Sequence, residues 1–308
     1  MSSNRIRVTV HGDGPAADRI AERVEARTDL TLVARTTGTE QPPTGADCVI
    51  YVPGAEEMAA DAPKTTVPRL LRAGFDVVTT LPLDERLPVA DVLDACRAGS
   101  STFHASAGFQ SAVAIRMART LAEVTHDIRR VELIEEVQFP DAGVYPWGTL
   151  AGTGLGAPDS AGAVAAAQAV AGFYEAGLRV LDEAVFDGAG AEGGESSAVA
   201  VDVETGADGG IERVSVHRDL GTQVSYHSVW TRAEPEGIPL RYRLVTTTDS
   251  ASGTATVEFR FTDGLHPGDH LTGVGVLDAL RSVHESEPGI TRRDLAINYL
   301  KSDDRLKR

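Results

Sequence analysis

The stretch "RIRVTVHGDGPAADRIAERVE", Arg5–Glu25, joins two patterns at a glycine turn. Ile6, Val8 and Val10 alternate with other residues at the period of a strand. Gly12-x-Gly14 follows, then Pro15 and Ala16, then Ala17, Ile20, Ala21 and Val24 at helical spacing. Pro15 suits a first helical position, where its missing N–H would be unpaired anyway. A strand, a Gly-x-Gly-x-x-Ala turn and a helix form the arrangement that holds a dinucleotide pyrophosphate. The first glycine permits a tight bend, the second lets the phosphates approach the backbone, and a small third residue lets the helix pack on the strand. The helix N-terminus adds free N–H groups and a partial positive charge. Asp13 is discordant, because its carboxylate sits where a phosphate would pass. The competing reading is a structural glycine turn that holds no ligand.

Outward from this turn the pattern repeats. "LTLVA" (Leu30–Ala34), "DCVIYV" (Asp47–Val52), "FDVVTT" and "STFHAS" read as strands. "TVPRLLRAG", ending at Gly74, "VADVLDACRAG", ending at Gly99, and Phe109–Val124 read as helices. Strands alternating with helices imply an α/β fold, a doubly wound parallel sheet over about residues 1–127. After the second strand, a site for NAD usually carries Asp or Glu for the ribose. Here Arg35, Thr36 and Thr37 stand instead, a guanidinium and two hydroxyls that suit a 2′-phosphate, so NADP(H) is expected in preference to NAD(H).

The pattern then changes. Arg129–Phe139 reads as a strand, followed by a Gly/Pro-rich stretch and an Ala-rich helix from Gly162 to Phe186. Strand-like runs at Ala198–Glu204, Ile211–Arg218, Thr222–Thr231, Leu240–Thr248 and Thr254–Phe261 come next, two neighbouring pairs being joined by short turns. Such runs make a mostly antiparallel sheet and hence a second, α+β domain, over 128–268. Residues 269–308 read as a helix, a Pro-Gly turn and a short strand.

Bulk properties narrow the function. The chain has 308 residues, a length that points to two domains. Its 42% apolar and 24% charged residues exclude a disordered chain. A net charge of −16, from 45 acidic residues against 29 Lys and Arg, argues against nucleic acid or anionic membrane as a partner. Cys48 and Cys96 read as reduced, buried, structural residues, with no metal-like Cys/His spacing. There is no apolar leader and no uncharged apolar run of about 18 residues, so a cytoplasmic protein is expected.

The opening turn, "ADCVIYV", "AGFDVVTT", "FHASAGF", "GTGLGAP" and the ending "VGVLDALRSVHESEPGITRRDLAIN" together resemble the dihydrodipicolinate reductase-like superfamily. Within it they are most similar to the 2,4-diaminopentanoate dehydrogenase and NAD(P)H-dependent amine dehydrogenase branch. The resemblance implies an N-terminal Rossmann domain and an α+β domain for substrate and subunit contacts. It also implies a C-terminal segment that returns to the first domain, and a homodimer or homotetramer. The implied activity is NAD(P)H-dependent interconversion of a small ketone or imine with an alcohol or amine.

Two departures stand out. The His-His pair and downstream Lys of dihydrodipicolinate reductase are missing, and "GAPDSAG" (Gly156–Gly162) matches only the end of its segment. The related amine dehydrogenases carry a Glu just after the fourth strand. Here that place reads Pro82 and Leu83, with Asp84 and Glu85 slightly later. A catalytically inactive relative that binds a dinucleotide or metabolite, as a sensor or partner protein, is therefore the alternative function.

In a doubly wound sheet the ligand lies at the carboxyl ends of the strands. That selects Val52 and Pro53, Thr79 and Thr80, and His104–Phe109, with Ser106 and Gly108 allowing close approach. His104 is a candidate proton donor, or else a strand histidine bonded to backbone. In the second domain Glu136 is the candidate amine anchor or acid/base, against a solvated strand carboxylate. Alternation places Gln138 on its face and Glu135 on the other. Tyr145 is a candidate proton donor, and Trp147 a pocket wall or interface residue. His217 and His227 read as structural, and His266 and His270 as loop residues; no metal site is expected.

Overall fold

Strand β1 (Ile6–Gly12) is buried at every position but Arg7. Its neighbours are β2 (Leu30–Thr36) on one side and β3 (Cys48–Val52) on the other, both parallel to it. The computed structural model describes residues 5–106, 113–114, 117–118, 127–139, 160–186, 196–232, 237–260 and 267–291. β3 is buried throughout, as a strand covered by helices on both faces must be. Next to it come β4 (Asp76–Thr79) and then β5 (Thr102–Ala105), again parallel. Helices α1 (Gly14–Ala26), α2 (Ala55–Ala59), α3 (Pro63–Arg72) and α4 (Val89–Gly99) connect these strands. Ala17, Ile20, Ala21 and Val24 of α1 pack on Ile6, Val8, Val10, Ile50 and Val52, so the helical spacing of the opening stretch is the core face.

The remaining elements are β6 (Arg130–Phe139), α5 (Ser160–Ala169), α6 (Ala171–Phe186) and β7 (Ala200–Thr205). After them come β8 (Ile211–Leu220), β9 (Val224–Arg232), β10 (Leu240–Thr247), β11 (Ser252–Phe259), α7 (Pro267–His284) and β12 (Gly289–Ile290). β12 pairs in parallel with β5, giving a six-stranded parallel sheet of order β12-β5-β4-β3-β1-β2. Strand order reverses at β1, the switch point of a doubly wound sheet. The second sheet has the order β11-β10-β6-β9-β8-β7. Its neighbours are antiparallel except β6 and β9, which run parallel.

The chain divides into two compact units. One comprises the described residues of Met1–Thr80, Asp84–Ser106 and Val276–Arg308, the other those of Leu81–Leu83 and Ala107–Gly275. Ala114, Met117 and Ala118 are buried in the core of the second unit, although the sequence placed them before a boundary at residue 127. That core also holds Tyr174, Leu178 and Leu181 of α6 and the inward residues of β6, β8, β9 and β10.

Two local readings are corrected. The expected single helix over 162–186 is two helices, interrupted at Val170. An Ala-rich run carries high helix propensity but no signal for where packing bends it. His270 lies on α7 rather than in a loop, because Pro267 opens the helix, as proline does at a first turn. Among the described residues no helix is long and apolar enough to cross a membrane.

Candidate functional site

The glycine turn lies at the carboxyl end of β1, where strand order reverses. Its two glycines have different physical reasons. Gly12 has φ +141°, and a β-carbon there would fall 1.8 Å from the Val52 carbonyl oxygen. It is therefore required by the close approach of β1 and β3. Gly14 has φ +84°, and among the described residues no atom beyond its chain neighbours and its own helix lies within 4 Å of where its β-carbon would be. Space stands open over the first residue of α1, in a backbone conformation that only glycine adopts without strain. Asp13 precedes the helix without capping it through its side chain. The N-cap side chain thus leaves the first N–H groups of α1 uncapped, a feature that fits a bound phosphate. Pro15 occupies the start of α1, Ala16 is half-buried, and Ala17 is fully buried against the sheet.

Asp13 is the feature that opposes an anion. Its carboxylate turns toward the β3–α2 connection, where a β-carbon on Gly54 would lie 2.0 Å from Asp13 Oδ1. Glu57 accepts the Gly54 backbone N–H at 3.3 Å. Burial pushes the Glu57 carboxyl up, the Gly54 N–H opposes this, and the Asp13 charge adds to it.

At the end of β2 the expected phosphate-binding residues separate. Arg35 is half-exposed and ion-paired with Asp18 of α1. The Thr36 hydroxyl, expected on the 2′-phosphate, instead turns inward and meets His11 Nδ1 at 2.8 Å. Strand alternation explains this correction: neighbouring residues face opposite ways, so Arg35 and Thr36 cannot both reach one ligand group from a regular strand. Thr37, just beyond, uses its backbone N–H to donate to Glu40 Oε2 at 2.9 Å. Arg69 of α3 donates to the Gly38 carbonyl at 3.2 Å and to the Glu40 carbonyl at 3.5 Å.

His11 was not among the candidates. It is fully buried, and among the described residues its Nε2 makes no hydrogen bond of normal geometry. Burial lowers its pKa, the Arg69 charge lowers it further, and the Gly38 carbonyl and Glu40 carboxylate oppose both. The signal in the sequence was its position directly before Gly12, at the last inward place of the strand.

The other strand ends line the same edge of the sheet. Val52 and Pro53 are buried at the end of β3. Thr79 donates to the Tyr51 carbonyl at 3.0 Å, tying β4 to β3. Thr80 is buried, and its hydroxyl has no hydrogen-bond partner among the described residues, an orphaned polar group where a ligand is expected. Ser106 donates its N–H to the Thr79 carbonyl at 2.9 Å. His104 is buried, with Nδ1 2.8 Å from the Thr291 carbonyl oxygen. A carbonyl only accepts, so Nδ1 carries a proton.

After β4, Thr80, Leu81, Pro82 and Leu83 supply no carboxylate, and Asp84 is tied to Arg86 at 2.7 Å. Glu85 is exposed.

In the second unit β6 alternates as expected, with Glu136 and Gln138 on the half-exposed face and Glu135 buried. Glu136 lies 2.9 Å from Arg241 and 3.5 Å from Arg243. Glu135 accepts the Ser228 hydroxyl at 2.6 Å and the Tyr242 hydroxyl, while Trp230 Nε1–H donates to Ser228 Oγ at 2.9 Å. His217 pairs with Asp219 at 3.0 Å and meets the His227 ring edge-on, so both belong to the sheet surface. Gly108, Asp141, Tyr145, Trp147 and His266 lie outside the described residues.

No protein-family model matches the chain, and no curated protein does. Solved structures match along nearly its whole length. An amine dehydrogenase from Mycobacterium smegmatis has a TM-score of 0.64 at 15% identity, over 93% of this chain and 94% of that one. A scyllo-inositol dehydrogenase from Lactobacillus casei has 0.59 at 14% identity, over 94% and 92%. GenD2 from gentamicin A biosynthesis, solved in complex with NAD, has 0.53 at 13% identity, over 91% and 85%. The chain therefore shares the fold of these structures, a parallel sheet with a second, mostly antiparallel one, as the sequence led one to expect.

Proposed function

We propose that the chain is an NAD(P)H-dependent oxidoreductase interconverting a small ketone or imine with the corresponding alcohol or amine. The observation that carries this reading is Gly14, an open, positive-φ first residue of a helix at the switch point of a parallel sheet. The solved dehydrogenases of the same fold, one of them in complex with NAD, support it. The turn of Gly12, Gly14, Pro15, Ala16 and Ala17 would hold the diphosphate. Val52, Pro53, Thr80, Ser106 and Gly108 would line the path toward the nicotinamide, which supplies or accepts the hydride when bound. His104, its ring oriented by the Thr291 carbonyl on Nδ1, is the proposed proton donor in the reduction direction. Tyr145 and Glu136 are the proposed proton donor and amine anchor of the second unit. Arg241 and Arg243 compete with a substrate ammonium for Glu136.

NADP(H) is the proposed cofactor in preference to NAD(H). The Arg35–Asp18 pair is exposed on both sides, and such pairs contribute only about 0–1 kcal/mol. A dianionic 2′-phosphate can therefore take Asp18's place. Half-buried Ile134, Val229 and Val245 on the outer face of the second sheet support a homodimer or homotetramer. A small-molecule substrate and a cytoplasmic site of action complete the proposal.

Titration of NADPH and NADH, followed by nicotinamide fluorescence, tests it. NADPH should bind the more tightly, and Arg35→Ala should remove most of the difference. If neither binds below about millimolar, near 4 kcal/mol, the reading fails.

The absence of a carboxylate from Thr80 to Leu83 favours a second reading, a dinucleotide- or metabolite-binding relative without turnover. A panel of ketones with ammonia separates the two. NADPH oxidation supports the enzyme; binding with no oxidation supports the relative.

A further inference from the structure

At the opposite end of the parallel sheet from the glycine turn, three side chains of different chemistry converge. Cys48 is the first residue of β3, Asp76 the first of β4, and the two are register partners. Partners on adjacent parallel strands project from the same face. That face is covered by α7, whose Val276, Leu277, Leu280 and Val283 pack on Cys48, Ile50 and Val78. His284, the last residue of α7, closes over the pair. Cys48 Sγ, an Asp76 carboxylate oxygen and a His284 ring nitrogen all lie within 4.8 Å of one another.

We propose that Cys48, Asp76 and His284 form a binding site for a first-row divalent cation, Zn²⁺ in its simplest form, with solvent as the fourth ligand. A thiolate, a carboxylate and an imidazole are ligand types that tetrahedral zinc takes.

The ordinary alternative is a buried thiol beside a surface ion pair between His284 and Asp76. His284 Nδ1 lies 3.4 Å from Asp76 Oδ2, longer than the roughly 2.7–3.2 Å of a good hydrogen bond. Metal–ligand lengths of about 2.0–2.2 Å give a tetrahedral edge of about 3.3–3.6 Å. The His284–Asp76 spacing falls in that range, and Cys48 Sγ lies within 4.8 Å of both, close enough to close on an ion by a small side-chain shift. Asp76 is also oriented for the role. Its Oδ1 accepts the Thr102 backbone N–H at 2.8 Å, leaving Oδ2 turned to His284. Outer partners of this kind hold metal-ligating carboxylates in place.

Charge and access agree with the geometry. His284 ends an 18-residue helix, whose terminal carbonyls carry partial negative charge that favours a cation. Asp47 adjoins Cys48 in the chain and its charge acts on the thiol. Cys48 is fully buried, but the Asp76 and His284 side chains are 18% and 41% exposed, which gives an entry path. Burial, Asp76 and Asp47 together hold the metal-free Cys48 as a thiol. On binding, its S–H bond breaks, the proton passes to solvent, and a sulfur lone pair forms the metal bond. No electron is transferred. The ion would pin the end of α7 to the amino ends of β3 and β4.

The test uses full-length protein freed of metal by a chelator and titrated with Co²⁺. Thiolate-to-cobalt charge-transfer absorption should saturate at one ion per chain and be displaced by Zn²⁺. Cys96→Ser should keep the band. Cys48→Ala should lose it, and exposed His284→Gln, which leaves the core untouched, should weaken binding at least tenfold. Zinc should raise the melting temperature of the natural protein and not of Cys48→Ala. Absence of the band, its survival in Cys48→Ala, or unchanged affinity in His284→Gln would overturn the site.

Discussion

The Asp13 carboxylate lies against Gly54: a β-carbon on Gly54 would meet Asp13 Oδ1 at 2.0 Å. This contact places a negative charge beside the crevice between β1 and β3, while Glu57 accepts the Gly54 N–H at 3.3 Å. A diphosphate over Gly14 must approach that charge. Two unit charges about 8 Å apart at an effective dielectric of about 20 repel by roughly 2 kcal/mol. Asp13→Asn should therefore tighten NADPH binding by about tenfold or more. Fluorescence titration of the two proteins gives the answer, and unchanged affinity would mean that no phosphate passes Asp13.

The two glycines of the turn should respond differently to alanine. At Gly12 the new β-carbon would overlap the Val52 carbonyl, 1.8 Å away. Separation of β1 from β3 at the centre of the sheet should cost several kcal/mol, on the order of a severe core substitution. At Gly14 the β-carbon meets nothing within 4 Å. Gly14→Ala should lose only about 1–2 kcal/mol through its positive φ, fold, and bind dinucleotide poorly. Urea denaturation with cofactor titration separates the effects. A Gly14→Ala protein that binds as well as its parent would show that the turn is purely structural.

Much of this unit was legible in the sequence because its signals are local. Alternation in β1, the buried run of β3 and the Gly-Pro start of α1 each follow from neighbouring residues. The same alternation separated Glu136 from Glu135, yet gave no reason to prefer the inward one. Its partners Ser228 and Tyr242 come from other strands, 93 and 107 residues away. Cys48 read as an inert buried residue for the same reason. His284 and Asp76 are 208 residues apart, and only the return of α7 brings them together. Thr36 misled because two adjacent hydroxyls suggest one binding surface, whereas a strand turns one of each pair inward.

His11 should make stability fall in mild acid. Its pKa in the folded chain is below the ordinary value of 6.5, chiefly through burial. Below about pH 6.5 the unfolded chain thus binds more protons, so stability is full above that pH and declines as pH falls, by at most about 1.4 kcal/mol per pH unit. His227, also lowered by burial, acts in the same direction, and the raised carboxyls of Asp76 and Glu57 act oppositely. The measurement is therefore a comparison. Urea midpoints of the natural protein and His11→Gln, taken from pH 7.5 downward, should show a shallower decline in the variant. Parallel curves would rule out His11 as a contributor.

Glu135 and Glu136 are neighbours in sequence and should differ sharply in stability. Glu135 is 1% exposed and accepts hydroxyls from Ser228 and Tyr242, with Trp230 bonded to Ser228 in turn. The Tyr174 and Tyr226 rings, 4.8 Å apart between centroids, fill the surrounding space. Tyr242→Phe removes one donor from a buried acceptor and should cost about 1–3 kcal/mol. Ser228→Ala should cost at least as much, because it strips a donor from Glu135 and an acceptor from Trp230. Glu136, one third exposed between Arg241 and Arg243, belongs to a surface network. Glu136→Gln should change stability by about 1 kcal/mol or less, while altering substrate KM if the residue anchors an amine. Urea denaturation of the three variants decides the first point. Equal small losses at Tyr242, Ser228 and Glu136 would mean that the inward network contributes no more than the surface one.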